Sequence, residues 1–222
     1  MVSTGEVLLR ARFDDLEQMC ADVRAWDLDF QPLAKPDGSG PVADLLQMRV
    51  GEIDFNYTRF RAPIDQSGQA PENRYTFTIL SPIMGRLWWR GQDVSPLDVL
   101  VFGEGSEFNS TSAADFEAYL ISITEHYVQT VAAREELALP SRQRRPEVFR
   151  PGRAVLAEAQ KVLAGFALGG SRDVADTRLA DVTDRLILAW LTQAGLRPFP
   201  AGLTRRNRAV SRALDLIYAD RN

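Results

Sequence analysis

The spacing of apolar residues turns from mainly period two to helical near Thr124, and that change bounds the folds open to the chain. Before it, short segments repeat with period two, as side chains do on a strand. In EIDFNYTRF (52–60), Ile53, Phe55, Tyr57 and Arg59 share one face, while Asp54, Asn56 and Thr58 share the other. WDLDF (26–30) alternates apolar and acidic residues. RYTFTIL (74–80), RLWWRG (86–91), DVLVFG (98–103) and FEAYLISI (116–123) follow, separated by PENR, SPIMG, GQDVSP and GEGSE. Those separators are rich in turn-forming Gly, Pro, Asn and Ser. Several short strands at nearly even spacing predict an antiparallel barrel or sandwich. FDDLEQMCADVRAW (13–26) is the exception, with helical spacing of Leu16, Met19 or Cys20, and Val23.

After Thr124 the spacing stays helical. TEHYVQTVAAREEL predicts a helix that ends before Pro140, and SRQRRPEVFRPG is a basic connector. RAVLAEAQKVLAGFAL (153–168) and DVADTRLADVTDRLILAWLTQAG (173–195) are stronger helices. In the second, Leu179, Val182, Leu186 and Trp190, flanked by Ile187 and Leu191, form a stripe too wide for one short partner helix to cover. A helical hairpin or a dimer seam would cover it. LRPFPAG (196–202) is a Pro/Gly linker. TRRNRAVSRALDLIYADRN (204–222) then predicts a basic helix with Thr204 as its N-cap. Its stripe of Val210, Leu214, Ile217 and Tyr218 has nothing after it to pack against.

The chain of 222 residues is long enough for one ample core without disulfides or metals as staples. It has no apolar run long enough to span a membrane, and MVSTGEVLLR lacks the core of a signal peptide, so a cytoplasmic protein with no membrane partner is expected. The net charge of −4 is unevenly spread. Residues 1–139 hold 11 Lys+Arg against 22 Asp+Glu, whereas residues 140–222 hold 15 against 8. The two parts therefore face different partners, or the second carries solvated Arg faces on its helices.

Composition narrows the chemistry. With a single cysteine, Cys20, and a single histidine, His126, the chain lacks the clustered ligands of a metal site, so no metal and no cofactor are expected. A Ser or Cys triad would have to recruit His126, and no GxSxG elbow accompanies it. GEGSE (103–107) lacks the strand-turn-helix context of a phosphate loop, and Asp14 with Asp15, or Asp27 with Asp29, read as solvated pairs. The aromatic residues carry more. Phe55, Tyr57, Tyr75, Phe77, Trp88 and Trp89 lie on successive strands, where they either fill the interior of a small barrel or wall a cavity for one ligand. Arg59 shares parity with Phe55 and Tyr57, and a charge on an apolar face needs a partner, such as a ligand carboxylate or Glu117.

The layout resembles the effector-sensing part of an AraC/XylS-type transcription regulator. RNRAVSRALDLIYADRN is similar to the opening of that family's DNA-binding domain, where an Arg-rich start leads into an ALDYI-like segment, here Ala213 to Tyr218. FDDLEQMCADVRAWDLDFQPL resembles the lead into the barrel in one branch of the family. The resemblance implies an α+β fold: an antiparallel cupin-like β-barrel (1–125) followed by a helical dimerisation region (126–195), a linker (196–203), and the first helix of a truncated helix-turn-helix domain (204–222). A small-molecule effector would bind Phe55, Tyr57, Arg59, Phe77, Trp88 and Trp89. A homodimer would form through Leu179, Val182, Leu186 and Trp190. Arg205, Arg206, Arg208 and Arg212 would touch DNA phosphates, with specific DNA binding left to the missing remainder of that domain. The resemblance implies no enzyme. From a different class, a metal-free isomerase or epimerase would need His126 with Tyr57 or Tyr119 as its acid and base.

Overall fold

The structure is a computed structural model that describes residues 5–34, 40–82, 86–137, 147–169 and 172–193, the side chains of 172–176 excepted. The chain opens with β1 (Glu6–Phe13), α1 (Leu16–Asp22), β2 (Asp27–Pro32) and β3 (Ala43–Val50). Next come β4 (Ile53–Phe60), β5 (Ile64–Gln69), β6 (Arg74–Leu80), β7 (Leu87–Trp89) and β8 (Gln92–Val94). The run of strands ends with β9 (Val99–Phe102), β10 (Glu107–Ser112) and β11 (Phe116–Thr124). α2 (Glu125–Arg134), β12 (Val148–Phe149), α3 (Arg153–Ala167) and α4 (Arg172–Gln193) complete the described elements. None of their helices is long and apolar enough to cross a membrane.

The strands form two antiparallel sheets rather than one closed barrel. The larger runs β1-β3-β4-β11-β6-β9-β12 and the smaller β2-β5-β10-β7-β8. Their facing sides share one apolar core, in which Phe60, Leu100 and Phe116 of the larger sheet meet Ile64, Leu87 and Phe108 of the smaller. α1 seals one side of it with Leu16 and Met19, and its N-terminus is capped by Asp15, whose carboxylate accepts from the Glu17 amide at 3.1 Å.

The helices after Thr124 cover the opposite face of the larger sheet. Phe55, Tyr75, Phe77 and Ile121 pack there against Leu156 and Phe166 of α3 and Trp190 of α4. The rings of Phe77 and Trp190 meet edge to face with centroids 5.2 Å apart, and Phe55 lies 5.6 Å from Phe166. The larger sheet is therefore buried on both faces, and β6 and β9 show it by being buried at almost every position. β12, which follows α2 in the chain, hydrogen-bonds to β9 and extends this sheet. The stretch between α2 and α3 thus contributes to the sheet, across the boundary drawn at residue 125.

The stripe on α4 has its partner within the chain. Leu179, Val182, Leu186 and Trp190 are all buried, with Trp190 at 1% exposure, against the sheet and α3. Of the two covers expected for it, a helical hairpin or a dimer seam, the hairpin of α3 and α4 together with the sheet provides one within the chain. The stripe is wide because it faces a β-sheet and a helix at once. The basic segment with Arg205, Arg206, Arg208 and Arg212 lies outside the described residues.

Candidate functional site

The two sheets do not fill the space between them. A cavity of about 90 Å³ lies among their facing side chains and α1. On the larger sheet its floor is a row of residues at matching registers. Gln47 of β3 lies opposite Asn56 of β4, which lies opposite Leu120 of β11, and then come Thr78 of β6 and Leu100 of β9. One step along, Thr58 lies opposite Ala118. Facing this floor, the smaller sheet presents Phe30, Gln66, Ser110 and Trp89 in register, one from each of four neighbouring strands. Trp26, Phe102 and Phe108 complete an aromatic wall, with Trp26 edge-on to both phenylalanines. Thr58 and Leu120 of the larger sheet are partly exposed, as are Val23, Trp26, Leu28 and Phe30, which set a mouth between α1 and β2.

Polar groups in the lining are carboxamides and hydroxyls. Gln47 donates from Nε2 to Asn56 Oδ1 at 2.9 Å, and Gln66 donates from Nε2 to Ser112 Oγ at 2.9 Å. Gln47 also accepts from the Arg24 amide at 3.3 Å, which ties the turn after α1 to the cavity floor. Thr58 Oγ1 and Thr78 Oγ1 are buried with no hydrogen-bond partner. None of the lining residues is Asp, Glu, Lys, Arg or His. Beyond the lining on that face of the sheet, Arg49 and Arg74 both pair with Asp54, at 2.7 and 3.3 Å.

Of the six residues expected at an effector site, the structure brings Trp89 alone to this cavity. Phe55, Tyr57 and Phe77 point to the helical side of the sheet, and Trp88 is exposed on the far side of the smaller one. Arg59 lies on the same side as Tyr57 and pairs with Asp115 at 3.4 Å rather than with Glu117. Its neighbours there, Tyr57 and Tyr119, lie with ring centroids 5.8 Å apart and tilted by 31°, and Tyr119 donates to Glu117 at 2.8 Å. Burial, reinforced by Glu117, pushes the Tyr57 phenol up to about 12 and the Tyr119 phenol higher still.

The parity of β4 was legible in the sequence, but the face turned to the cavity is the polar one. A strand buried on both sides gives its more apolar face to the helices and its amides and hydroxyls to the cavity. Two signals mark the residues missed: Gln47 between Leu46 and Met48, and the alternating threonines of RYTFTIL.

The acid and base named for an isomerase, His126 with Tyr57 or Tyr119, do not line this cavity. His126 is exposed at the start of α2 and does not line the cavity, and phenols held above their ordinary range are poor bases near neutral pH. Cupin-like folds that hold a metal do so through clustered histidine and carboxylate. The amides and hydroxyls of this lining do not fit such an ion. Among the described residues no three His, Cys, Asp or Glu side chains form such a group.

No family model matches the chain, and no curated protein matches it. Solved structures do. The AraC-like transcriptional activator CuxR is similar over 96% of this chain and 80% of its own, with a TM-score of 0.58 and 13% identity. ToxT from Vibrio cholerae matches over 82% of this chain and 63% of its own, at 0.39 and 8% identity. A cupin 2 conserved barrel protein from Salinispora arenicola matches over 49% of this chain and 85% of its own, at 0.28 and 14% identity. With its paired antiparallel sheets and the helical layer behind the larger one, the chain shares the α+β fold of an AraC-like transcriptional activator.

Proposed function

We propose that this chain is the ligand-sensing region of an AraC-type transcription regulator, and that it has no catalytic role. The observation that carries the reading is the placing of the cavity on the one sheet that also carries the helices. Asn56, Thr78 and Leu120 touch the cavity, while their chain neighbours Phe55, Phe77 and Tyr119 belong to the core shared with the helices. A ligand that shifts the floor by a fraction of an ångström shifts the surface on which α3 and α4 rest, because a close-packed interior transmits displacement rather than absorbing it. Ligand binding on one side and helix placement on the other are then two biases on one equilibrium.

The reading includes a homodimer with the helical region as its contact. The contact then falls on residues that these helices turn outward, since the four stripe residues are covered within one chain. DNA contact belongs to the basic C-terminal segment, where Arg205, Arg206, Arg208 and Arg212 would meet phosphates. A regulator working on DNA also places the protein in the cytoplasm.

The test is a thermal-shift screen of the full chain against uncharged and charged metabolites, repeated with Ala118→Leu. Ala118 is buried in the cavity floor, and the larger side chain takes up the space. A ligand of the folded state raises the midpoint by mass action, and the response disappears in the variant. A response equal in both proteins would move the site elsewhere, and no response from any compound would overturn sensing.

A further inference from the structure

We infer that the outer face of the smaller sheet is a docking surface for the chain's own arginine-rich segment, residues 204–222, with carboxylates and the ring of Trp88 as its contacts. The docking goes beyond the sensing reading and does not depend on it.

The chemistry of the face is the first argument. Strands β2, β5, β7, β8 and β10 hold five carboxylates, Asp27, Asp29, Asp65, Asp93 and Glu107, and no Lys, Arg or His. All five point away from the cavity. One row crosses every strand in register: Gln31, Asp65, Thr111, Trp88 and Asp93. Asp29 accepts from Gln31 at 2.8 Å and Asp65 from Thr111 at 3.1 Å, both neutral donors. Among the described residues none of the five pairs with a cation. Trp88, 37% exposed beside Asp93, adds an aromatic surface on which a guanidinium group stacks. A neutral or anionic partner would gain from the ring and lose against the carboxylates; an arginine gains from both.

The pattern of the segment is the second. Residues 204–222 hold five Arg against two Asp. At helical spacing Arg205, Arg208 and Arg212 recur at i, i+3 and i+7, on the side opposite Val210, Leu214 and Ile217. These arginines can therefore meet the sheet while the apolar stripe stays open to another surface. Along a helix they span about 10 Å, which is two strand spacings of the sheet.

Reach is the third. Gln193, the last residue of α4, exchanges hydrogen bonds with the Arg150 backbone at 2.6 and 3.3 Å. Arg150 pairs with Asp98 at 2.8 Å, and Asp98 accepts from the Ser95 amide at 3.0 Å. Ser95 directly follows β8, the edge strand of the smaller sheet that carries Asp93. The chain after α4 thus sets out from the edge of the sheet in question. Residues 194–203 reach up to about 33 Å when extended, whereas the width of the sheet is roughly 19 Å.

While docked, Arg205, Arg208 and Arg212 face carboxylates instead of phosphates, so docking and DNA contact exclude each other. That consequence alone rests on the reading above.

Limited trypsin digestion of the full chain tests the docking, with cleavage after Arg205, Arg208 and Arg212 followed by mass spectrometry. In low salt, Asp65→Asn, Asp93→Asn and Glu107→Gln together should speed these cleavages about fivefold or more, since cleavage follows the undocked fraction. About 0.5 M NaCl should do the same to the unaltered chain, and Trp88→Ala should speed them about twofold or more. Asp14→Asn, Glu17→Gln and Asp181→Asn remove as much charge from exposed sites elsewhere and should leave the rates unchanged. Equal rates in the unaltered chain and the face variant would overturn the docking, and so would an equal gain from the control variant. Acceleration confined to Arg142 and Arg144 would give the face to the basic connector, and protection that fades on dilution would give it to a second copy; either overturns the inference. A second measurement does not rely on weakening the face. In a Cys20→Ser chain, Asp93→Cys with Arg208→Cys should close a disulfide about fivefold faster than Asp14→Cys with Arg208→Cys. Equal closure of the two pairs would also overturn it. Sensing is judged separately by the Ala118→Leu screen, so the two readings fail independently.

Discussion

Gln47 and Asn56 face each other across β3 and β4, and the Gln47 carboxamide that donates to Asn56 at 2.9 Å also holds both backbone polar groups of Arg24, at 3.3 and 3.4 Å. The pair thus links the cavity floor to the turn at its mouth. Asn56→Leu leaves the Gln47 amide without its side-chain acceptor and should cost about 1–3 kcal/mol in urea denaturation. The double variant with Gln47→Leu should cost less than the sum of the two single changes, since both partners go together. It should also speed hydrogen exchange at the Arg24 amide. Strict additivity with unchanged exchange would show that the link is not made in solution.

Leu186 and Trp190 are 1% exposed against the sheet, so changing them acts on folding before association. Leu186→Asp buries a carboxylate without a partner and should abolish the cooperative thermal transition. Trp190→Ala should lower stability by about 3–5 kcal/mol, as other large core truncations do. Circular dichroism and light scattering together check both. Well-folded monomers from either variant would restore the dimer seam to this stripe.

Alkaline pH offers a separate handle. Burial followed by Glu117 pushes the Tyr57 phenol from 10.0 to about 12, and burial with neighbouring carboxylates raises Tyr119 and Tyr127 as well. The folded state holds these protons more tightly than the unfolded state does. Their contribution is therefore complete below pH 10.0 and is lost as pH rises toward about 12. Urea midpoints should hold up to about pH 10 and fall beyond it. Tyr127→Phe removes the donor to Asp184 at 3.0 Å and should make that fall shallower, with phenolate absorbance counting the ionised groups. A flat profile to pH 12 would contradict the burial of the three rings.

Gly68 in β5 lies between Leu28 of β2 and Phe108 of β10, where a Cβ would collide with the carbonyl oxygen of Asp27. Gly68→Ala should destabilise by about 1–3 kcal/mol, because the obstacle is backbone and cannot swing aside. Gly103→Ala meets nothing within 4 Å and serves as the control. Equal midpoints for the two variants would mean that β2 is not paired as described.

Much of this architecture can be read from residue spacing. The helices of 153–168 and 173–195 appear within a few residues of their observed limits, because their apolar faces are long and regular. The strands around 52–60, 74–80 and 116–123 are equally plain. β5 is not, since IDQSGQ lacks clean alternation and draws its order from neighbouring strands, whereas in β1 Leu9, Ala11 and Phe13 do share one face. The cavity was legible in parity and not in direction. Phe55 and Asn56 must point opposite ways, but which of them faces the cavity depends on where α3 and α4 settle, more than ninety residues further on. Trp190 settles against Phe77 and Tyr75, and so claims the aromatic face for the core.

The double burial of the larger sheet also constrains how this chain can change over evolutionary time. A substitution on β6 or β9 is judged by the helices behind it as well as by whatever lies in front, so few changes there escape selection. Across the cavity the smaller sheet turns Trp88 and Asn109 outward to water, and its strands answer to one packed neighbour only. New cavity shapes should therefore arise at Gln66, Ser110 and Trp89, while the floor that backs onto the helices stays as it is.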